Sequence, residues 1–264
     1  MRSIFASLGL ALVAWVCSSC GTQVYLNKWE PSQVALPRGT VLHVRAEARG
    51  PLRYELRRAF EQQIAADSYY RLHGDAGCAD IRLHRVEVEM RQPAEDDKYH
   101  KRPYPVRVNL TADVISNYQR IYRRECSQYV GFRRAGHADW EAVAEDVASA
   151  VMRDLTPHQE LYAERVDEVE TNPSVELAAR ACAAGNWTGG REYAAAALEQ
   201  NPQEAEAYYV LGLIERNARQ YAESDACFRK AYSLKPERKY AAGVADNARL
   251  KADEELAQQQ LRGR

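Results

Sequence analysis

The chain predicts an α+β fold: a small, mostly antiparallel sheet with two helices on one face, followed by an all-α tail of helical hairpins. Three observations carry this prediction. Apolar residues alternate at Val106, Val108, Leu110, Ala112 and Val114, the period of a strand with one buried face. Leu52, Leu56, Phe60 and Ile64 recur every four residues, as on an amphipathic helix. The C-terminal part repeats itself: Pro202 and Pro236, Trp187 and Tyr221, and Ala197 and Ala231 each stand 34 residues apart.

The N-terminal residues come first. Arg2 precedes an apolar run of 13 residues at 4–16, interrupted by Ser7 and Gly9. A membrane-spanning helix needs about 20 apolar residues, so the run has the length of a signal-peptide core. Val16-Cys17-Ser18-Ser19-Cys20-Gly21 follows. This stretch resembles the lipobox of bacterial lipoproteins, with Cys17 where Leu is usual. The resemblance implies removal of residues 1–19 as a lipoprotein signal peptide and acylation of Cys20, palmitate included. Gly21 stands where Asp would signal inner-membrane retention, so the family rule implies the outer membrane, facing the periplasm or the cell surface. The other reading of the same residues is ordinary secretory cleavage near Ser19, leaving Cys20 a thiol.

Composition narrows the partners. With 36 Lys and Arg against 37 Asp and Glu, the net charge of −1 gives no reason to expect nucleic acid. An acylated Cys20 leaves Cys78, Cys126, Cys182 and Cys227, with three ways of pairing. Cys78 with Cys126 is the favoured disulfide, because both fall in the strand-rich half. Cys182 and Cys227 lie on expected helices and read equally well as small buried thiols.

Residues 20–37 are polar and proline-bearing and read as a tether, and 38–157 as the α+β sandwich. A strand is expected at 40–46 and a helix from Pro51, where proline suits a helix start. A short strand at 69–72 and a long one at 79–92 come next. In the latter, Ile81 and Leu83 alternate in one phase and Val86, Val88 and Met90 in the other. That slip at His84-Arg85 predicts a β-bulge. A charged loop at 93–103 leads into a hairpin, with strands at 104–114 and 120–132 and a turn at Ser116-Asn117. Asp139 is the expected N-cap of a closing helix whose apolar face is Trp140, Val143, Ala144, Val147 and Val151. Two helices over one sheet face make a sandwich. The first helix, the hairpin with its Ala112-Asp113-Val114-Ile115 shoulder and the closing helix together resemble a group of envelope lipoproteins. These include the N-terminal domain of the Tol translocation protein, the curli transport lipoprotein and lipoprotein activators of peptidoglycan synthases.

Residues 158–171 are expected to form a connecting helix, 172–236 two repeats and 237–264 a capping helix. In the second repeat, Tyr208, Leu211, Gly212, Tyr221, Phe228, Ala231 and Pro236 are similar to the tetratricopeptide (TPR) pattern, which it leaves at Glu215 and Ser224. The first copy keeps Leu177, Gly185, Trp187, Ala197 and Pro202 and departs at Ser174 and Gly190. In such repeats the inner helices line a concave groove. The resemblance places Tyr209, Leu213, Arg216 and Asn217 there from the second copy, and Val175, Ala179 and Cys182 from the first. An aromatic, an Arg and an Asn suit an extended peptide, although Tyr209 suits internal packing equally.

Reactive chemistry is sparse in the sequence. The six histidines show no HExxH and no i,i+4 pair, and no cysteine has metal-binding spacing, so no metal and no cofactor is expected. Asp96-Asp97 reads as a solvated loop pair, and Gly189-Gly190 lacks the flanks of a phosphate loop. Arg120, Arg123, Arg124, Arg133 and Arg134 read as a solvated face, or as a patch for an anionic envelope partner. The resulting expectation is a non-catalytic envelope lipoprotein, the sandwich nearest the membrane and the tail binding a partner protein. No small-molecule substrate is expected. The alternatives are a secretion or assembly subunit resembling the curli transport lipoprotein, and a thiol-dependent hydrolase.

Overall fold

The computed structural model describes residues 21–73, 78–90, 105–134, 137–167, 169 and 172–263. Among these residues are seven strands and seven helices. The strands are β1 (Thr22–Glu30), β2 (Val41–Ala46), β3 (Cys78–Met90), β4 (Pro105–Ser116), β5 (Gln119–Arg134), β6 (His137–Ala138) and β7 (His158–Val166). The helices are α1 (Pro51–Ala66), α2 (Trp140–Leu155), α3 (Pro173–Ala183), α4 (Trp187–Gln200), α5 (Ala205–Asn217), α6 (Tyr221–Leu234) and α7 (Arg238–Arg262). The described residues form two compact units: a sheet unit within 31–158 together with 256–263, and a helical unit of 21–30 together with those within 159–255.

In the sheet unit the order is β2-β3-β4-β5-β6, larger than the small sheet expected. The β2–β3 pair is parallel and the other pairs are antiparallel. The expected strand at 69–72 is reduced to a single bridge, Val41 to Arg71, while Tyr69 and Tyr70 are buried. The pairing of β3 with β4 shifts between His84 and Glu87, and Arg85 takes a positive φ of 53°. This is the bulge that the phase slip predicts: one extra residue turns Val86 and Val88 to the side that Ile81 and Leu83 already face. Helices α1 and α2 pack on each other and share one apolar core with Ile81, Leu83, Val108, Leu110, Ala112 and Val114. Leu56 and Phe60 of α1 and Val147 and Val151 of α2 are fully enclosed there. Asp139 caps α2 by accepting a hydrogen bond from the Ala142 amide at 3.3 Å.

In the helical unit α3 and α4 form one hairpin and α5 and α6 a second, with α7 following. Gly185 and Arg219 end α3 and α5, stand 34 residues apart, and both have left-handed φ, 78° and 63°. Two sequence expectations are overturned here. The tether at 20–37 is strand β1 over half of its length, Thr22–Glu30, and the connecting helix at 158–171 is strand β7 over His158–Val166. The two strands pair as a separate two-stranded sheet. The reason is visible in the side chains: Val24 and Leu26 alternate inward on β1, and Glu160, Tyr162, Glu164 and Val166 on β7. That alternation buries one face of a ribbon, and a helix over 158–166 would scatter the same residues around its axis.

Candidate functional site

The groove expected on the inner face of the hairpins is occupied by the chain itself. Val175, Ala179 and Cys182 of α3 are buried in one cluster with Val24, Leu26 and Val166 of the ribbon. Tyr209 and Leu213 of α5 are buried as well, Asn217 is half-buried, and Arg216 is 3% exposed.

Arg216 anchors a polar network. Its Nε donates to Asn247 Oδ1 at 2.6 Å and its Nη2 to the Gly243 carbonyl at 2.7 Å, both on α7. Nη1 donates to Glu164 of β7 at 3.1 Å. The guanidinium also lies 4.7 Å from the Phe228 ring centroid, a cation–π distance. The Tyr209 hydroxyl donates to the same Glu164 carboxylate at 3.1 Å, so one carboxylate ties α5 to β7 twice. Burial, and next the Glu164 charge, push the Tyr209 phenol well above its ordinary range.

A second knot surrounds Glu206, which accepts from Tyr240 Oη at 2.6 Å, the Asp167 amide at 2.8 Å and Lys239 Nζ at 2.7 Å. The positions where the second repeat leaves the TPR pattern belong to the same architecture. Glu215 pairs with Arg191 of α4. The Ser224 hydroxyl donates to the Gly212 carbonyl at 2.7 Å and accepts from Asn247 Nδ2 at 2.9 Å. Polar groups that are buried together and satisfied by one another fix a unique register. Sequence reasoning missed Glu164, Glu206 and Asn247, although the alternation of β7 was a signal for the first. No pattern in the sequence pointed to the other two.

The first hairpin depends on close approach. A Cβ on Gly190 would lie 2.4 Å from Cys182 Sγ and 3.3 Å from the Ala178 carbonyl oxygen, so α4 seats on α3 only with glycine there. Burial pushes the Cys182 thiol up to about 12 and raises those of Cys126 and Cys227. A protonated thiol is a poor nucleophile.

The expected Cys78–Cys126 disulfide is not formed, and all four described cysteines are free. The register explains why. Cys78 precedes Ala79, which faces Ser116, whereas Cys126 faces Leu110. The two cysteines therefore lie about 20 Å apart along the strand direction alone, against the roughly 6 Å between Cα atoms that a disulfide needs.

The arginine cluster also divides, because consecutive residues of a strand point to opposite faces. Arg124 turns to α2, where its Nη1 meets Asp154 at 2.6 Å and the Ala150 carbonyl at 2.9 Å. Arg123 lies on the outer face and grips Asp113 with two hydrogen bonds of 2.7 and 2.8 Å. His84 Nε2 lies 3.0 Å from the same carboxylate. Arg123 above all, with His84 assisting, holds the Asp113 carboxyl below its usual range. Arg120 is exposed at the turn, and the side chains of Arg133 and Arg134 lie outside the described residues, as do Cys20 and Asp96-Asp97.

A cleft of about 570 Å³ lies in the sheet unit, walled by Leu52, Val86, Val88 and Trp140 and flanked by Glu47 and Arg49. Among the described residues no group of His, Cys, Asp and Glu has metal-binding geometry, and no helix is long and apolar enough to cross a membrane.

No family model and no curated protein matches the chain. Solved structures resemble part of it. A protein of Caulobacter crescentus CB15 assigned as a lipoprotein is 17% identical, covers 43% of this chain and 86% of its own, and gives a TM-score of 0.30. A variant of the PelC dodecamer from Paraburkholderia phytofirmans is 16% identical over 50% of this chain and 96% of its own, with a TM-score of 0.31. A minor lipoprotein from Acinetobacter baumannii is 12% identical over 44% and 90%, with a TM-score of 0.32.

Proposed function

We propose that the chain is an envelope lipoprotein of the outer membrane, held by lipid on Cys20, that works as a scaffold for another envelope protein without catalysing a reaction. The helical hairpins are of TPR type in this reading, supported by the 34-residue period and the matched left-handed turns at Gly185 and Arg219. The exposed apolar side chains on the outward face of the β1–β7 ribbon carry the scaffold role, because the groove itself is filled. The residues expected to face a partner, Tyr209, Leu213 and Arg216, are committed inward, and the β1–β7 ribbon covers them.

Recognition therefore passes to the outward face of that ribbon, where Tyr25 and Leu161 are 51% and 64% exposed. A two-stranded sheet also keeps an unpaired edge on each side, to which an extended segment of a partner adds by backbone hydrogen bonding. The raised thiols of Cys126, Cys182 and Cys227 speak against a thiol-dependent hydrolase.

Photo-reactive residues at positions 25 and 161 in intact cells should capture one protein partner, and one at 216 should capture none. Capture from 216 alone would return the partner to the groove. Cys20→Ser should release the protein from membranes, and continued retention removes the lipoprotein reading. A ring-sized oligomer in detergent would favour the secretion-subunit alternative.

A further inference from the structure

The start of β1 leaves no slack between the anchor and the fold. A Cβ placed on Gly21 would lie 2.2 Å from the Val166 carbonyl oxygen and 3.0 Å from its carbon, so the Gly21 backbone rests directly on β7. Cys20 immediately precedes Gly21 in the sequence, so one peptide bond separates them. Val166 leads into Asp167, whose amide donates to Glu206 at the start of α5 and whose carboxylate meets Lys239 at the start of α7, 2.5 Å away. Lys239 and Lys235 both pair with Glu237 in the α6–α7 connection. Gly21, Asp167, the N-terminus of α5 and the 235–239 segment therefore form one end of the helical unit. The other end carries the α5–α6 turn at Ala218, the far side of a helix of 13 residues, about 20 Å long.

We propose that this first end of the helical unit lies in the headgroup layer of the membrane, with Pro202, Gln203, Lys235 and Arg238 facing the lipid. The proposal rests on lipidation of Cys20. The helical unit supplies β1, the strand that follows Cys20-Gly21 in the sequence. Acyl chains on a cysteine with no spacer hold whatever the next residue is bonded to within a few ångströms of the interface, and here that is a packed strand.

The test uses the mature lipidated chain in vesicles of phosphatidylethanolamine and phosphatidylglycerol carrying a headgroup nitroxide quencher. A fluorescent amino acid is placed at Gln203 or at Ala218, both exposed. Quenching at 203 should exceed that at 218 by about threefold or more, given the length of α5 between them. A flexible Gly-Ser insertion between Cys20 and Gly21 should remove the difference while the protein stays with the vesicles. Equal quenching at the two sites in a chain that sediments with vesicles overturns the proposal alone. A chain that does not sediment overturns the lipid anchor and the proposal with it.

Discussion

The two units place their charges in opposite ways. In the sheet unit the core is apolar, from Leu56 and Phe60 to Val114, and the charged group of His84, Asp113 and Arg123 sits on the outer face of the sheet. On the helix side Arg124 pairs with Asp154 at the rim, where Arg124 stays partly exposed. In the helical unit Arg216, Glu206, Ser224 and Asn247 are themselves buried, and a carboxylate from β7 reaches in to meet them. A sheet with helices on one face closes its core with side chains of alternating polarity, so burial of one face carries most of its specification. Two helical hairpins present a concave face that leucines and alanines cannot fill. Here a ribbon and a long helix fill it, and directional bonds set their register.

The comparison can be broken most sharply at Arg216. Arg216→Ala removes a buried guanidinium, leaves Asn247 Oδ1 buried and the half-buried Glu164 carboxylate without it, and should cost about 3–5 kcal/mol. Urea denaturation of the mature chain, followed through signals of the helical unit, would show it. A loss below 1 kcal/mol would mean that the network is incidental to the fold.

Leu56→Ala is the counterpart in the sheet unit, a fully enclosed side chain on α1. It should destabilise by about 2–5 kcal/mol through cavity formation. The expected difference in kind is that Arg216→Lys also fails, because an ammonium cannot reproduce the fork, whereas Leu56→Met is tolerated.

Gly190→Ala forces Cβ against Cys182 Sγ and should cost about 1–3 kcal/mol. Adding Cys182→Ala should restore part of that, and calorimetry on the double variant measures the coupling. Additive losses would place the strain elsewhere.

Asp113 tests the outer face through pH. Its carboxyl titrates below the usual range in the folded chain, so its contribution to stability is present above about pH 4 and is lost as pH falls through the lowered value. Asp113→Asn should therefore melt lower than wild type at neutral pH, and the gap should narrow on acidification. A gap that is constant with pH would remove the role given to Arg123 and His84.

The smallest effect lies at the β4–β5 turn, where Asn117 and Tyr118 both have positive φ, 51° and 63°. Both central residues of such a hairpin turn favour glycine or asparagine, so Tyr118→Gly should raise stability by about 0.5–1 kcal/mol. A lower melting temperature for this fully exposed position would show that the Tyr118 side chain has a use.

Local periodicity made most of the sheet unit legible. The bulge followed from the phase slip at His84-Arg85, the α2 cap from Asp139, and the helix α1 from its four-residue recurrence. The 34-residue period located two hairpins whose turns carry matching left-handed residues. Less legible was everything that depends on what lies across the chain. The strands β1 and β7 are short, polar on one side and far apart in sequence, so each alone reads as a spacer or a connector. Strand faces divided the arginines at 123 and 124, and strand register separated Cys78 from Cys126, although sequence proximity grouped them.

By itself the sequence determined the mixed fold, the helices from 51 to 66 and 140 to 155, the long strands and hairpins, and the apolar faces, since those depend on residues a few positions apart. The tertiary structure decided what occupies the groove, which charges are buried, and that the chain is already packed on β7 at Gly21. Those outcomes depend on pairings across 50 residues or more, such as Arg216 with Glu164, and no local period encodes them.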